Sequence, residues 1–196
     1  MNMVNTANRA LTLSVADVTG NAATDFSISG VIRDYDTAGF AGMPIIKTGA
    51  GTVSLSGANT HMGPFTVAAG TLALGANNTL FASNSITLNG GTLDMGAYTN
   101  TLGTLTVSTN SVITLGAGQL AFADSSANSW SNTLTLVGTL DRYTLRFGTN
   151  NAALTPQQSD VLKRVQLRLE LAEGYYQRGQ FQVALGPSQA VGHIEA

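Results

Sequence analysis

Short apolar runs recur between Leu11 and Val137, each alternating a large apolar side chain with Thr, Ser or Ala. They are Leu11–Val15, Phe26–Ser29, Val53–Leu55, Phe65–Val67, Leu72–Leu74, Ile86–Leu88, Leu102–Val107, Val112–Leu115 and Leu134–Val137. In an extended chain successive side chains point to opposite faces, so a period of two predicts a strand with one face buried. Gly and Asn punctuate the runs, as expected of residues that accept turn conformations. The runs also recur in phase. Gly51-Thr-Val, Gly70-Thr-Leu, Gly91-Thr-Leu and Gly103-Thr-Leu open successive units at spacings of 19, 21 and 12 residues, and Gly138-Thr-Leu returns later. Self-similarity of this kind predicts a solenoid, in which no unit buries its own apolar face and stacking supplies the core. The units hold no helical pattern, which excludes helix-bearing repeats. Strand-only units of about 20 residues suit a β-helix, whose coils stack at the ~4.8 Å strand spacing. A β-sandwich is the alternative, but its outer faces would normally carry Lys and Glu where this chain has Thr, Ser and Asn.

The pattern changes at Thr155. Val161, Val165, Leu169, Ala172 and Tyr176 fall at helical intervals, behind Thr155 as N-cap and Pro156 at the first helical position. Charge changes at the same place. The 93 residues from Thr48 to Leu140 contain two charged side chains, Asp94 and Asp124, whereas residues 155–196 contain eight. Of the 25 Thr, 24 precede position 155, and Thr favours strands. Two regions are therefore expected: a β repeat domain over 1–154 and a helical tail over 155–196.

Composition narrows the function. Charged residues make up 10% of the 196, the net charge is −2, and no Lys/Arg cluster occurs. The electrostatic footprint that nucleic acid requires is missing, so nucleic acid is not an expected partner. With no Cys, neither a disulfide framework nor thiol chemistry is available. No apolar run approaches the ~18 residues of a membrane helix, so no membrane segment is expected in this chain. Met1-Asn-Met-Val-Asn-Thr6 lacks the basic start and apolar stretch of a secretory signal. If the protein is exported, the chain is expected to be a piece of something longer.

Lys47-Thr-Gly-Ala-Gly-Thr-Val-Ser-Leu-Ser-Gly-Ala-Asn-Thr60, followed by Phe65-Thr-Val-Ala-Ala-Gly-Thr-Leu-Ala-Leu-Gly75, closely resembles the passenger-associated repeat of bacterial autotransporters and related surface proteins. Ile28-Ser-Gly-Val-Ile-Arg-Asp34 is similar to the strand that often leads into that repeat, and His61-Met-Gly-Pro64 stands where the repeat usually has a Tyr-Thr-Gly-Gly turn. Phe122–Trp130 and Leu145–Thr155 resemble the closing segment of secreted repeat proteins that carry a C-terminal sorting signal. The likeness spans most of residues 10–155. It implies a mainly β fold, a right-handed parallel β-helix; chains with such closing segments normally continue in β structure, whereas the apolar spacing after Thr155 predicts a short C-terminal α-helical segment here. It also implies export and display as a stalk, spacer or adhesive surface, with surface glycans or neighbouring passenger domains as partners. In the tail, Leu171–Leu185 resembles the helix-turn-helix centre of a tetratricopeptide repeat, with a flavour of type IV pilus biogenesis lipoproteins. Only half a repeat precedes Gly186-Pro187, too little for the stacked groove by which such repeats bind peptides.

Candidate chemistry is sparse. Asp34 and Asp36 flank Tyr35 and are the one carboxylate pair suited by spacing to glycan hydrolysis, which needs two carboxyls roughly 5 to 9.5 Å apart. Their turn-rich surroundings favour backbone capping instead. Asp94 and Asp124 have no partner along the chain. His61 and His193 are the only histidines, and zinc wants three or four ligands. No catalytic, cofactor-binding or metal residue is assigned and no cofactor is expected. Trp130 and the Tyr residues present flat faces to sugar rings, although plugging an open core end is the plainer role for Trp130. Asn59, Asn77, Asn78, Asn84, Asn89, Asn100 and Asn110 are expected to form amide ladders between coils. A non-catalytic surface segment is the leading reading. A carbohydrate-active enzyme, a carbohydrate- or ice-binding Thr face and partner binding by the tail are the alternatives.

Overall fold

A computed structural model describes residues 10–34, 42–128, 130, 132–140 and 144–148. The chain winds through three faces in turn, and each circuit lays its strands beside those of the circuit before. Face A holds β1 (Leu11–Ser14), β3 (Ile45–Thr48), β5 (Phe65–Val67), β7 (Ile86–Leu88) and β10 (Leu105–Val107) in that order. Face B stacks β2 (Phe26–Ile28), β4 (Thr52–Leu55), β6 (Thr71–Leu74), β8 (Thr92–Asp94), β11 (Ser111–Thr114) and β13 (Leu134–Val137). Face C holds β9 (Asn100–Leu102), β12 (Leu120–Phe122) and β14 (Leu145–Phe147). Every pairing between these strands is parallel. The described chain is a β-solenoid, and we number its coils 1 to 6 by their face-B strand.

Register converts the sequence period into columns. Ile45, Phe65, Ile86 and Leu105 stack at separations of 20, 21 and 19 residues. On face B the inward column runs Phe26, Val53, Leu72, Leu93, Ile113, Leu136. Between its ends the column is fully buried, whereas Phe26, on the edge strand of the described sheet, is 47% exposed. At the other end Phe122 and Phe147 stack at 5.4 Å between centroids, and Trp130 meets Phe147 edge-on at 5.5 Å. The outward columns are mostly Thr, interrupted by Ile46 and Val112. Face A presents Thr12, Ile46, Thr66, Thr87 and Thr106, and face B presents Thr52, Thr71, Thr92, Val112 and Thr135.

The structure corrects the phase expected from sequence. Leu102–Val107 is two strands on different faces, because Gly103 turns the corner from β9 to β10. A Cβ at Gly103 would overlap the Asn84 carbonyl of the coil before. Gly51, Gly70 and Gly91 each precede a face-B strand, and Asn110 occupies that position in the next coil. Gly103-Thr-Leu is therefore out of phase, which explains its spacing of 12. Gly138 follows β13 instead of opening a unit. Strands β3, β8, β12 and β14 were not among the predicted runs; Lys47 and Asp94 interrupt the apolar alternation in the first two. The expected tail helix and the tetratricopeptide likeness over 155–196 lie outside the described residues.

Candidate functional site

Among the described residues, the carboxylates and Lys47 are hydrogen-bonded to backbone groups. Asp25, at the corner leading into β2, accepts from Val18 N–H (2.9 Å) and Thr19 N–H (3.0 Å) through Oδ1 and from Thr52 N–H (2.8 Å) of the next coil through Oδ2. The bond from Thr52, helped by those from Thr19 and Val18, holds its carboxyl below the ordinary Asp range. Asp34 accepts from Met43 N–H (3.0 Å) and Met62 N–H (2.6 Å). It is a clamp between coils, and Asp36 lies outside the described residues. Asp94 accepts from Gly96 N–H (2.9 Å) and Asp124 from Ser126 N–H (2.9 Å). Hydrogen bonds from the Ser126 side chain and backbone lower the Asp124 pKa. Among the described residues no three His, Asp or Glu side chains converge on one point.

Lys47 is the feature that sequence reading missed. Its inward column is otherwise apolar: Leu13 below it, then Val67, Leu88 and Val107 above. The side chain is 0% exposed. Its ammonium turns into the corner between faces A and B and donates to the carbonyls of Thr48 (2.9 Å), Gly49 (2.8 Å) and Ala69 (3.0 Å). Burial lowers its pKa, against the opposing pull of Asp25. An ammonium has three donors, and the corner supplies three acceptors. The only legible signal was position: a Lys two residues after an inward Ile, at a phase where a strand points inward. The corner also explains Gly70, whose φ is +62°. A Cβ there would overlap the carbonyls of Gly49 and Gly51 and lie 2.7 Å from Lys47 Nζ.

The Asn residues do join coils, but the expected amide ladder is replaced by a different chemistry. Asn59 accepts from Ile32 N–H (2.6 Å) and donates to Thr79 O (2.8 Å), bridging three coils. Asn100 accepts from Thr79 N–H (2.8 Å). Asn84 donates to His61 O (2.9 Å) and Gly63 O (2.8 Å) and accepts from Phe81 N–H (2.8 Å). Asn77 and Asn110 accept from Thr99 N–H (2.8 Å) and Thr133 N–H (3.0 Å). Corners leave backbone groups that cannot join a ladder, and a buried backbone group without a partner is costly. Carboxamides satisfy both polarities at once. Asn78 serves differently, at a φ of +48°.

His61 is 0% exposed, and neither ring nitrogen has a hydrogen-bond partner among the described residues. The ring meets Phe65 edge-on at 6.2 Å, and burial holds its pKa below the ordinary His value, against the pull of Asp34. His193 lies outside the described residues. Trp130 donates its indole N–H to Leu105 O (3.1 Å) and packs on Phe147, so its ring closes the last coil. The structure therefore brings Asp25 and Lys47 together at one corner, and Asp34 and His61 at another. Both are joints between coils.

No curated protein and no solved structure matches the chain significantly. Residues 45–74, from β3 to the end of β6, match the family profile described as the passenger-associated-transport-repeat, and that stretch contains the Lys47 cage, Gly70 and Asn59.

Proposed function

We propose that the chain is a non-catalytic structural or adhesive segment of an exported bacterial surface protein, an autotransporter-passenger-like stalk or spacer. The observation that carries this reading is the expenditure of the described carboxylates, and of Lys47, on backbone groups within and between coils, inside a repeat whose second and third coils match the passenger-associated profile. A protein built this way resists bending and offers length. The winding is right-handed, as parallel strand–connection–strand units are in about 98% of cases. Surface glycans or neighbouring passenger domains are the partners this reading calls for. The test is protease treatment of intact cells that make the protein. Loss of the chain without lysis supports display, and full protection in intact, unpermeabilised cells overturns it.

A second reading, a carbohydrate-binding face, draws on the outward Thr columns of faces A and B. Hydroxyls repeated every ~4.8 Å along a sheet are regularly spaced donors and acceptors. Binding of a polysaccharide that is lost when Thr66 and Thr87 are both changed to Val would favour it. Turnover of polygalacturonate, alginate, chitin or ester substrates that vanishes in Asp34→Ala would instead favour an enzyme. For residues 155–196 we propose a cap on the solenoid. Removing them is expected to lower the melting temperature and raise self-association, since uncovered strand edges recruit other chains.

A further inference from the structure

His61 sits at a joint. Its backbone N–H reaches Ile32 O in coil 1 (3.2 Å), and its carbonyl accepts from Asn84 of coil 3 (2.9 Å). Asn84 also holds Gly63 O, and Asp34 holds Met62 N–H, so His61, Met62 and Gly63 are each tied to a neighbouring coil. In the middle of this clasp the imidazole contributes no hydrogen bond, since both nitrogens are buried without a partner. An unpartnered neutral imidazole is tolerated as an aromatic disc against Phe65. An unpartnered buried cation is not, because removing a charge from water without compensation costs far more than removing a neutral group.

The charges around it are few. Among the described residues, coil 1 brings Asp34 and its chain neighbour Arg33; on its own coil the only other titratable group is Lys47, committed to another corner; and residues 65–93, which run through coil 3 into coil 4, contain none. Asp34 is the counter-charge that acts on the ring, yet its two oxygens are held by Met43 and Met62 N–H groups. A protonated ring gains that carboxylate only by rearranging the clasp.

We propose that His61 is an acid-sensitive latch: protonating its ring opens the 59–64 corner, releasing Asn84 and uncovering Phe65, while the rest of the solenoid stays closed. The sign follows from linkage. A group whose pKa is lower in the closed state than in the open one takes up a proton on opening, so closing becomes less favourable as pH falls below the open-state value, about 6.5 for His. One proton gives at most about a tenfold gain in the opening constant per pH unit below that value.

The test uses the full chain. Amide-exchange protection factors are measured between pH 7.5 and 5 for His61, Met62, Phe65 and Asn84, with Leu93 and Ile113 as controls, in the natural protein and in His61→Phe. Protection at the corner is expected to fall by up to about tenfold per pH unit below 6.5 in the natural protein, to stay flat in His61→Phe, and to stay flat at the controls in both. Equal slopes in the two proteins overturn the proposal. If His61→Phe fails to fold, imidazole titration by NMR decides: a His61 signal with midpoint at or above 6.5 and undiminished corner protection overturns it, and a midpoint below His193, in step with lost protection, supports it.

Discussion

Lys47 shows how one residue can tie a corner of its own coil to the next coil. Its ammonium occupies carbonyls of Thr48, Gly49 and Ala69, and Lys47→Met keeps the bulk while removing the donor. Leaving buried acceptors unmatched costs about 1–3 kcal/mol each; Thr48 O retains the Val15 N–H bond, so the expected loss in chemical denaturation is about 2 kcal/mol or more. Gly70→Ala is expected to be at least as damaging, because it adds a clash with the Gly49 and Gly51 carbonyls to a φ of +62°. Asp25 yields a pH prediction of opposite origin to that of His61. Its folded pKa is depressed by the bonds from Thr52, Thr19 and Val18. The stability it contributes is present above the unfolded value near 3.8 and disappears as pH falls through the folded value. Carboxyl-detected NMR should place its midpoint below 3.8, and Asp25→Asn should remove that part of the acid response without touching the one near pH 6.

Among the strands, the same side-chain type has different value according to what lies on either side of its coil. Leu93 has Leu72 and Ile113 above and below it in the column and is 0% exposed. Leu93→Ala is expected to cost about 2–5 kcal/mol, the range for truncating a buried Leu where neighbours cannot collapse. Phe26 belongs to the same column but is 47% exposed. Phe26→Ala is expected to cost less than Leu93→Ala in the same denaturation experiment, despite removing more carbon. The reverse order would mean that β2 is covered by something its neighbours in the column do not show.

For the molecule as a whole, stability in a solenoid is approximately a sum of coil terms and nearest-neighbour interfaces. Coils 2 to 5 have an interface on each side, whereas among the described strands coil 1 pairs only through β1 with β3 and β2 with β4. Amide exchange at neutral pH should therefore show a gradient along the axis, with Leu11–Ser14 exchanging through low-energy local opening and Leu72, Leu93 and Ile113 limited by global unfolding. Uniform protection from coil 1 to coil 5 would refute independent coil contributions.

The period of two, the Gly and Asn punctuation and the recurrence near 20 residues were enough to derive strands, a solenoid and its apolar columns, because those depend on backbone geometry repeated locally. The match over residues 45–74 sits where the sequence motif was most complete. What the sequence by itself left open was the phase at Gly103, the inward Lys47, the Asn bridges and the buried His61. Each is decided by groups about 20 residues away along the chain but one strand spacing away in space: a carbonyl of the coil below fills the room at Gly103, the Ala69 carbonyl turns a core position into an ammonium cage, and Ile32 and Thr79 fix Asn59. A polar side chain is buried only where unpaired backbone groups await it or where its neutral form fills space, and stacking alone creates those places.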